Sequence, residues 1–286
     1  MTPQPGILLP VATSARYATL ALTPVAQPRA ILDRLAKLHV DDTIVIGIGA
    51  SFVRALGTDL PGLTTFPALS GAGVEIPSTQ AALWIHARAQ DPGESLRALR
   101  RALAAIGDGV MIEEDVVAYK HDTGRDLSGF EDGTENPKGD AALAAAFTAD
   151  GGSFVATQRW IHDLARLESF TAHDRDVLIG RNRESNDELA DAPPTAHIKR
   201  AQQEAYDPPA FMVRRSMPYG GVVQHGLYFV AYVAALDTFG RMLRRMVGLD
   251  DGIVDGLFQF SRPVSGGYYW CPPVAGSHLD LGLVTR

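Results

Sequence analysis

The chain has 286 residues, 46% of them hydrophobic and 21% charged, and a formal net charge of -7. That is enough apolar sequence for one large domain or two of ordinary size, and it excludes wholesale disorder. The acidic balance, the lack of a long Lys/Arg run and the single cysteine, Cys271, exclude a basic nucleic-acid footprint, an intrachain disulfide framework and a Cys-rich zinc site.

The N-terminal stretch MTPQPGILLPVATSARY has no basic region leading into a long apolar run and no twin arginine. No window approaches ~20 uninterrupted apolar residues. The expected location is the cytoplasm, with no membrane and no nucleic acid as partner. In chain order, RYATLAL reads as a strand, and PRAILDRLAKLHV follows with Ile31, Leu35 and Leu38 at helical spacing. TIVIGIGASF is a β-branched run, and LWIHARA alternates so that Leu83, Ile85 and Ala87 share a face. Asp91, Pro92 and Glu94 then signal a helix start, with Leu96, Leu99, Leu103 and Ile106 as its apolar stripe and Gly107 at its end. VMIEEDVVAYK is a further strand.

The second half repeats this style less regularly. GGSFVATQRWIHDL begins as a strand, and AFMVRRSMPYG and GLYFVAYVAAL are two more around a Gly-rich turn. DTFGRMLRRMVG is a helix with Phe239, Met242, Leu243 and Met246 inward, while residues 171–206 are polar with short helical pieces. Two α+β units with a joint near residues 138–152 account for this pattern.

Four stretches could carry chemistry. GIGASF follows a strand as a dinucleotide loop would, but Phe52 stands where the third glycine belongs, so close packing is the better reading. None of the eight histidines forms a His-x-x-x-His pair. His197 is approached through Pro193 and Pro194 and followed by Lys199 and Arg200. A histidine held so suits an axial haem ligand with cations near the propionates, and an ordinary core or surface histidine is the plainer alternative. Arg214 and Arg215 end a strand, so alternation sends them to opposite faces, and an inward arginine needs a partner charge or a ligand. In GFEDGTENP, turn chemistry accounts for Gly133, Asn136 and Pro137 but not for Phe130 beside an acid between two glycines. That pattern suits a loop lying close to something flat, with Asp132 aimed at it.

These residues resemble a known family. GFEDGTENP holds the Gly-x-x-Asp-Gly signature of the dye-decolourising peroxidases, which are haem enzymes. QRWIHDL, VIGRNRESNDEL, TAHIKR, VRRSMPYG, GLYFVAYVAALDTFGRML and FSRPVSGGYYW look, in order and spacing, like segments of its type B class, in the porphyrinogen-peroxidase-like branch. The likeness is specific over about residues 125–270 and vaguer in the N-terminal third.

The resemblance implies an α+β fold of two ferredoxin-like domains with antiparallel sheets, arranged as a dimeric α/β barrel. Residues 1–140 would form the N-terminal domain, ending in the distal haem loop, and residues 141–286 the haem-binding domain. It implies one haem b per chain with His197 as its iron ligand, Asp255 bonded to that histidine, and Asp132 and Arg214 as the distal acid and arginine. Ser216 is expected to join Asp132 and Arg214 as a catalytic residue on the distal side, where many type B members have asparagine and where its shorter hydroxyl would hold the distal water differently. Gly133, Thr134, Glu135, Asn136 and Arg200 are expected around the cofactor, the glycines letting the loop approach it. The implied activity is oxidation of organic one-electron donors (dyes, phenolics or porphyrinogens) by hydrogen peroxide through a ferryl compound I. The alternative is a haem- or porphyrin-handling protein with incidental peroxidase activity. Trp160, Tyr219, Tyr268, Tyr269 and Trp270 are either electron carriers to bulky substrates or, more plainly, core aromatics. A homo-oligomer, dimer or larger, is expected. An encapsulin shell is not, because hardly any linker separates YYWCPP from SHLDLGLVTR.

Overall fold

The computed structural model describes residues 1–285. Its first half contributes strands β1 (Ser14–Leu22), β2 (Ile44–Gly49), β3 (Leu83–Ala89) and β4 (Val110–Tyr119), with helix α1 (Pro28–Leu35) after β1 and α2 (Pro92–Ile106) after β3. The strands lie in the order β2-β3-β1-β4, all antiparallel. The second half contributes β5 (Ser153–His162), β6 (Met217–Gly220), β7 (His225–Val233) and β8 (Gly267–Cys271). Helix α3 (His197–Ala201) lies in the long crossover before β6, and α4 (Leu236–Met246) follows β7. Its order, β8-β5-β7-β6, repeats the first: the opening strand sits between the third and the fourth. Both halves are therefore ferredoxin-like α+β units, as expected.

The two units close on each other. β8 pairs with β2 through Tyr269 and Gly49 and through Trp270 and Ile48, and β4 meets β6 at Ala118 and Tyr219. The result is a barrel of strands with helices outside. Alternation along each strand then splits the core in two. Tyr17, Trp84, Tyr228, Tyr232 and Tyr269 fill one buried cluster, with Tyr17 stacked on Tyr228 at 4.0 Å between ring centroids. Leu83, Ile85 and Ala87 belong to the second, where the helices pack. Trp160, Tyr219, Tyr268, Tyr269 and Trp270 are all buried.

Local signals explain the helices. Asp91 accepts hydrogen bonds from the Gly93 and Glu94 amides at 2.8 and 3.2 Å, and Pro92 opens α2. The buried face of α2 differs from the expected stripe. It runs through Ser95, Ala98, Leu99, Ala102 and Ile106, while Leu96 is 37% exposed. The helix lies close on β1, where the Ser95 and Ser14 hydroxyls meet at 3.1 Å, so small residues face the sheet and larger ones flank the contact. Helix α4 buries Phe239, Met242, Leu243 and Met246 as its periodicity predicts. GIGASF is packing: a side chain at Gly47 would meet Tyr269, and one at Gly49 the Ala81 carbonyl. Among the described residues no helix is long and apolar enough to cross a membrane.

Candidate active site

His197 opens α3, placed by the Pro193–Ala196 turn in which the Ala196 amide donates to the Pro193 carbonyl at 2.9 Å. Its Nδ1 lies 2.8 Å from Asp255 Oδ2. Asp255 is 1% exposed and its other oxygen accepts from the Leu257 amide at 2.8 Å, so the carboxylate is fixed and Nδ1 must donate. Nε2 is then the ring nitrogen left for the cavity that His197 lines. Burial alone would lower the pKa of His197, but the charge and bond of Asp255 outweigh it and the net direction is upward.

That cavity measures about 380 Å³. Leu227, Phe229, Met242 and Met246 give it apolar walls, and Asp132 and Arg214 line it together with His197. Arg214 Nη1 and Asp132 Oδ1 are 3.3 Å apart, and both charges are near enough to act on His197. Arg214 sits on a short strand, Val213–Arg214, paired with Ala231 and Tyr232 of β7. Arg215 turns the other way and donates to the Leu8 and Leu9 carbonyls at 2.7 Å each, as strand alternation requires.

The loop between β4 and β5 carries Asp132. Asn136 ties it to the Arg214 strand: its Oδ1 accepts from the Arg214 amide at 2.7 Å, and its Nδ2 donates to the Arg214 carbonyl at 3.0 Å. Thr134 and Glu135 line the cavity, whereas Gly133 and Asn136 do not. Gly129 and Gly133 have φ of 90° and 75°. A Cβ there would lie 2.9 Å from Arg183 Cδ and from Asn136 Nδ2 respectively. The positive φ at both positions is by itself a reason for glycine, while the side-chain ends a Cβ would meet are movable.

Two more expected site residues stand outside the cavity wall. The Arg200 guanidinium is buried against Asp251, at 2.7 and 2.8 Å, and also donates to the Arg245 carbonyl, so it does not line the cavity. Lys199 and Arg181 join Arg214 as cations in the wall. Ser216 is buried outside the cavity lining, its hydroxyl 3.4 Å from the Val230 amide. Other lining residues were not singled out by sequence reasoning. Gln158 is 1% exposed and its Nε2 has no acceptor among the described residues; Arg214 Nε is likewise without one. Asp126, His162 and Ser261 form a buried hydrogen-bonded group in the same wall. His162 lay within QRWIHDL, but nothing in that segment announces its partners, which come from distant parts of the chain.

Residues 14–120 match the family described as Dyp-type peroxidase, N-terminal, and residues 123–276 match Dyp-type peroxidase, C-terminal. The chain belongs to the Dyp-type peroxidase family, a class of haem-dependent peroxidases. It is 29% identical to the dye-decolorizing peroxidase of Mycobacterium tuberculosis over 96% of this chain and 89% of that protein. It is 31% identical to that of Brevibacterium linens over 80% and 66%. Among solved structures it is similar to a dye-decolorizing protein from V. cholerae, with 30% identity, a TM-score of 0.84 and coverage of 94% and 96%. It is also similar to an arginine-to-leucine variant of Rhodococcus jostii DypB in complex with heme, with 26% identity, a TM-score of 0.88 and coverage of 98% and 99%.

Proposed function

We propose that the chain is a haem b peroxidase that uses hydrogen peroxide to oxidise small organic one-electron donors such as dyes, phenolics or porphyrinogens. The observation that carries this reading is one cavity lined by both His197, bonded to Asp255, and the Asp132–Arg214 pair. The residues suit haem. One imidazole nitrogen of His197 is left to hold the iron, the walls are largely apolar, and two buried donors, Gln158 Nε2 and Arg214 Nε, have no acceptor among the described residues. Lys199 is a cation in the wall that could face its carboxylates, while Arg181, also in the wall, is paired with Glu135 and Glu188 at 2.7 Å each. When bound, haem supplies the redox-active iron.

The chain's own residues would divide the remaining work. Asp255 holds the Nδ1 proton, which fixes the ring orientation and makes Nε2 a stronger donor. A peroxide beside Asp132 would pass a proton to its carboxylate, which can return it to the departing oxygen. The Arg214 guanidinium would stabilise the negative charge that develops as the O–O bond stretches. Asn136, bonded to the Arg214 backbone, keeps these two groups in register. Ser216, held at the Val230 amide, is assigned the support of that strand.

The test is the ultraviolet–visible spectrum of the purified chain loaded with hemin, before and after one equivalent of peroxide. A Soret band that shifts within the mixing time is expected, and His197→Ala should abolish haem loading. A Soret band indifferent to peroxide would overturn the peroxidase reading and leave a haem-handling protein.

A further inference from the structure

We propose that His162 is a positioning residue for Asp132, acting through Asp126. This rests on the reading of Asp132 as the group that takes the peroxide proton.

Asp126 and Asp132 belong to one loop. The Asp126 amide donates to the Phe130 carbonyl at 2.8 Å, the Gly129 amide donates to the Asp126 carbonyl at 2.9 Å, and Arg125 and Glu131 form a bridge. These bonds make the stretch from Asp126 to Phe130 a tight turn, so the place of Asp126 dictates where the chain emerges toward Asp132. The Asp126 carboxylate accepts from the Ser128 amide at 2.9 Å, and its other oxygen lies 3.1 Å from His162 Nε2.

His162 is the last residue of β5, so its backbone belongs to the barrel wall. Its Nδ1 is 2.7 Å from Ser261 Oγ, on the strand Ser261–Pro263 that pairs directly with it. A serine hydroxyl can donate to Nδ1 or accept from it, so Nε2 keeps its bond to Asp126 in either protonation state. Asp126, His162 and Ser261 are 8%, 6% and 2% exposed. A buried carboxylate deprived of its partner is costly, which makes this bond a strong constraint on the loop. Phe130, buried with Leu167, Ile179 and Phe260, plugs the same turn into the core.

The ion pair of Asp132 with Arg214 cannot supply this constraint. At 3.3 Å it is the longer contact, and its groups are 21% and 17% exposed. The loop is held at its entry by Asp126 on His162 and at its exit by Asn136 on the Arg214 strand. Between them Glu131 is bonded to Arg125 and Asn186, and Glu135 to Arg181 and Gln203. Of these only the Asp126–His162 bond ties the loop to the buried barrel wall at its entry.

The test compares His162→Leu, which removes the bond, with His162→Gln, which can still donate to Asp126 and accept from Ser261. In the haem-free chain, amide hydrogen exchange over residues 126–136 should quicken by about tenfold or more in His162→Leu while α2 exchanges as in the wild type. In the haem-loaded chain, the second-order rate with peroxide should fall on the order of 10²-fold, with the half-saturating donor concentration unchanged. His162→Gln should restore most of both. Unchanged exchange in His162→Leu, faster exchange with an unchanged peroxide rate, or a His162→Gln chain that behaves like His162→Leu would each overturn the proposal. If His162→Leu does not fold, Asp126→Asn takes its place: faster loop exchange there supports the anchor, and wild-type exchange overturns it. A wild-type chain inert to peroxide whose loop exchange responds as described would defeat the peroxidase reading and leave the loop anchor standing.

Discussion

Asp132 and Arg214 share one ion pair, so each sets the environment of the other. Replacing Asp132 with Asn removes the proton acceptor but leaves the guanidinium. The peroxide rate in stopped flow should fall by roughly 10²–10⁴-fold, the usual contribution of a positioned acid–base group. Replacing Arg214 with Ala removes charge stabilisation and should cost about 10²–10³-fold. The Soret band of the resting protein should survive both changes, because His197 is bonded to Asp255 and not to either group. A rate within threefold or so of wild type in both variants would remove the distal assignment. Asp126 makes a different prediction. Burial alone would raise its pKa, but the charge and bond of His162 and the bonds of Ser128 hold it down at about 2. A carboxyl depressed below its unfolded value of ~3.9 contributes stability that is present above that value and is lost as pH falls toward the folded one. Urea unfolding should therefore find Asp126→Asn less stable than wild type by roughly 2 kcal/mol at neutral pH, with the gap closing between about pH 4 and pH 2.

At the scale of elements, what could be read from sequence was what neighbours along the chain decide. The Asp91 cap and the α4 stripe are local, and both follow from residue spacing. The turn around Gly133 and Asn136 was equally legible as a turn. Its purpose was not, because Asn136 bonds a strand 78 residues away and no local pattern names that partner. Arg200 shows the same limit: next to His197 it reads as a cation for a ligand, yet the fold brings Asp251 to it. His197, Asp132 and Arg214 could be singled out from their settings, but their shared cavity could be expected only through family resemblance. The Asn136 bridge has a measurable consequence. Asn136→Ala loses both bonds to Arg214 and should lower the peroxide rate on the order of tenfold to 10²-fold through misplacement of the pair. Haem affinity should hold, since Asn136 is not in the cavity wall. A matching loss of haem affinity would mean that the bridge supports the whole pocket instead of the pair.

The whole molecule raises the question of how separate its two units are. Each has a complete ferredoxin-like strand order, which favours treating residues 1–140 and 141–286 as domains. The barrel argues for a single cooperative body. Tyr17 and Trp84 come from the first unit and Tyr228 and Tyr269 from the second, and they share one buried cluster. Trp84 Nε1 donates to the Tyr228 hydroxyl at 3.1 Å, so the interior also contains a polar bond between the units. Cutting the chain would expose these rings, at roughly 1.5–3 kcal/mol for each large side chain left in water, and would free the edges of β2 and β4. A margin of about 5–15 kcal/mol for a whole domain does not survive several such losses. Residues 1–140 produced alone should therefore show no cooperative urea transition, and should bind a hydrophobic dye. Production together with residues 141–286 should restore a single transition and haem loading. A sharp two-state transition from residues 1–140 alone would establish independent domains, and the barrel would then be a docked interface instead of a shared core.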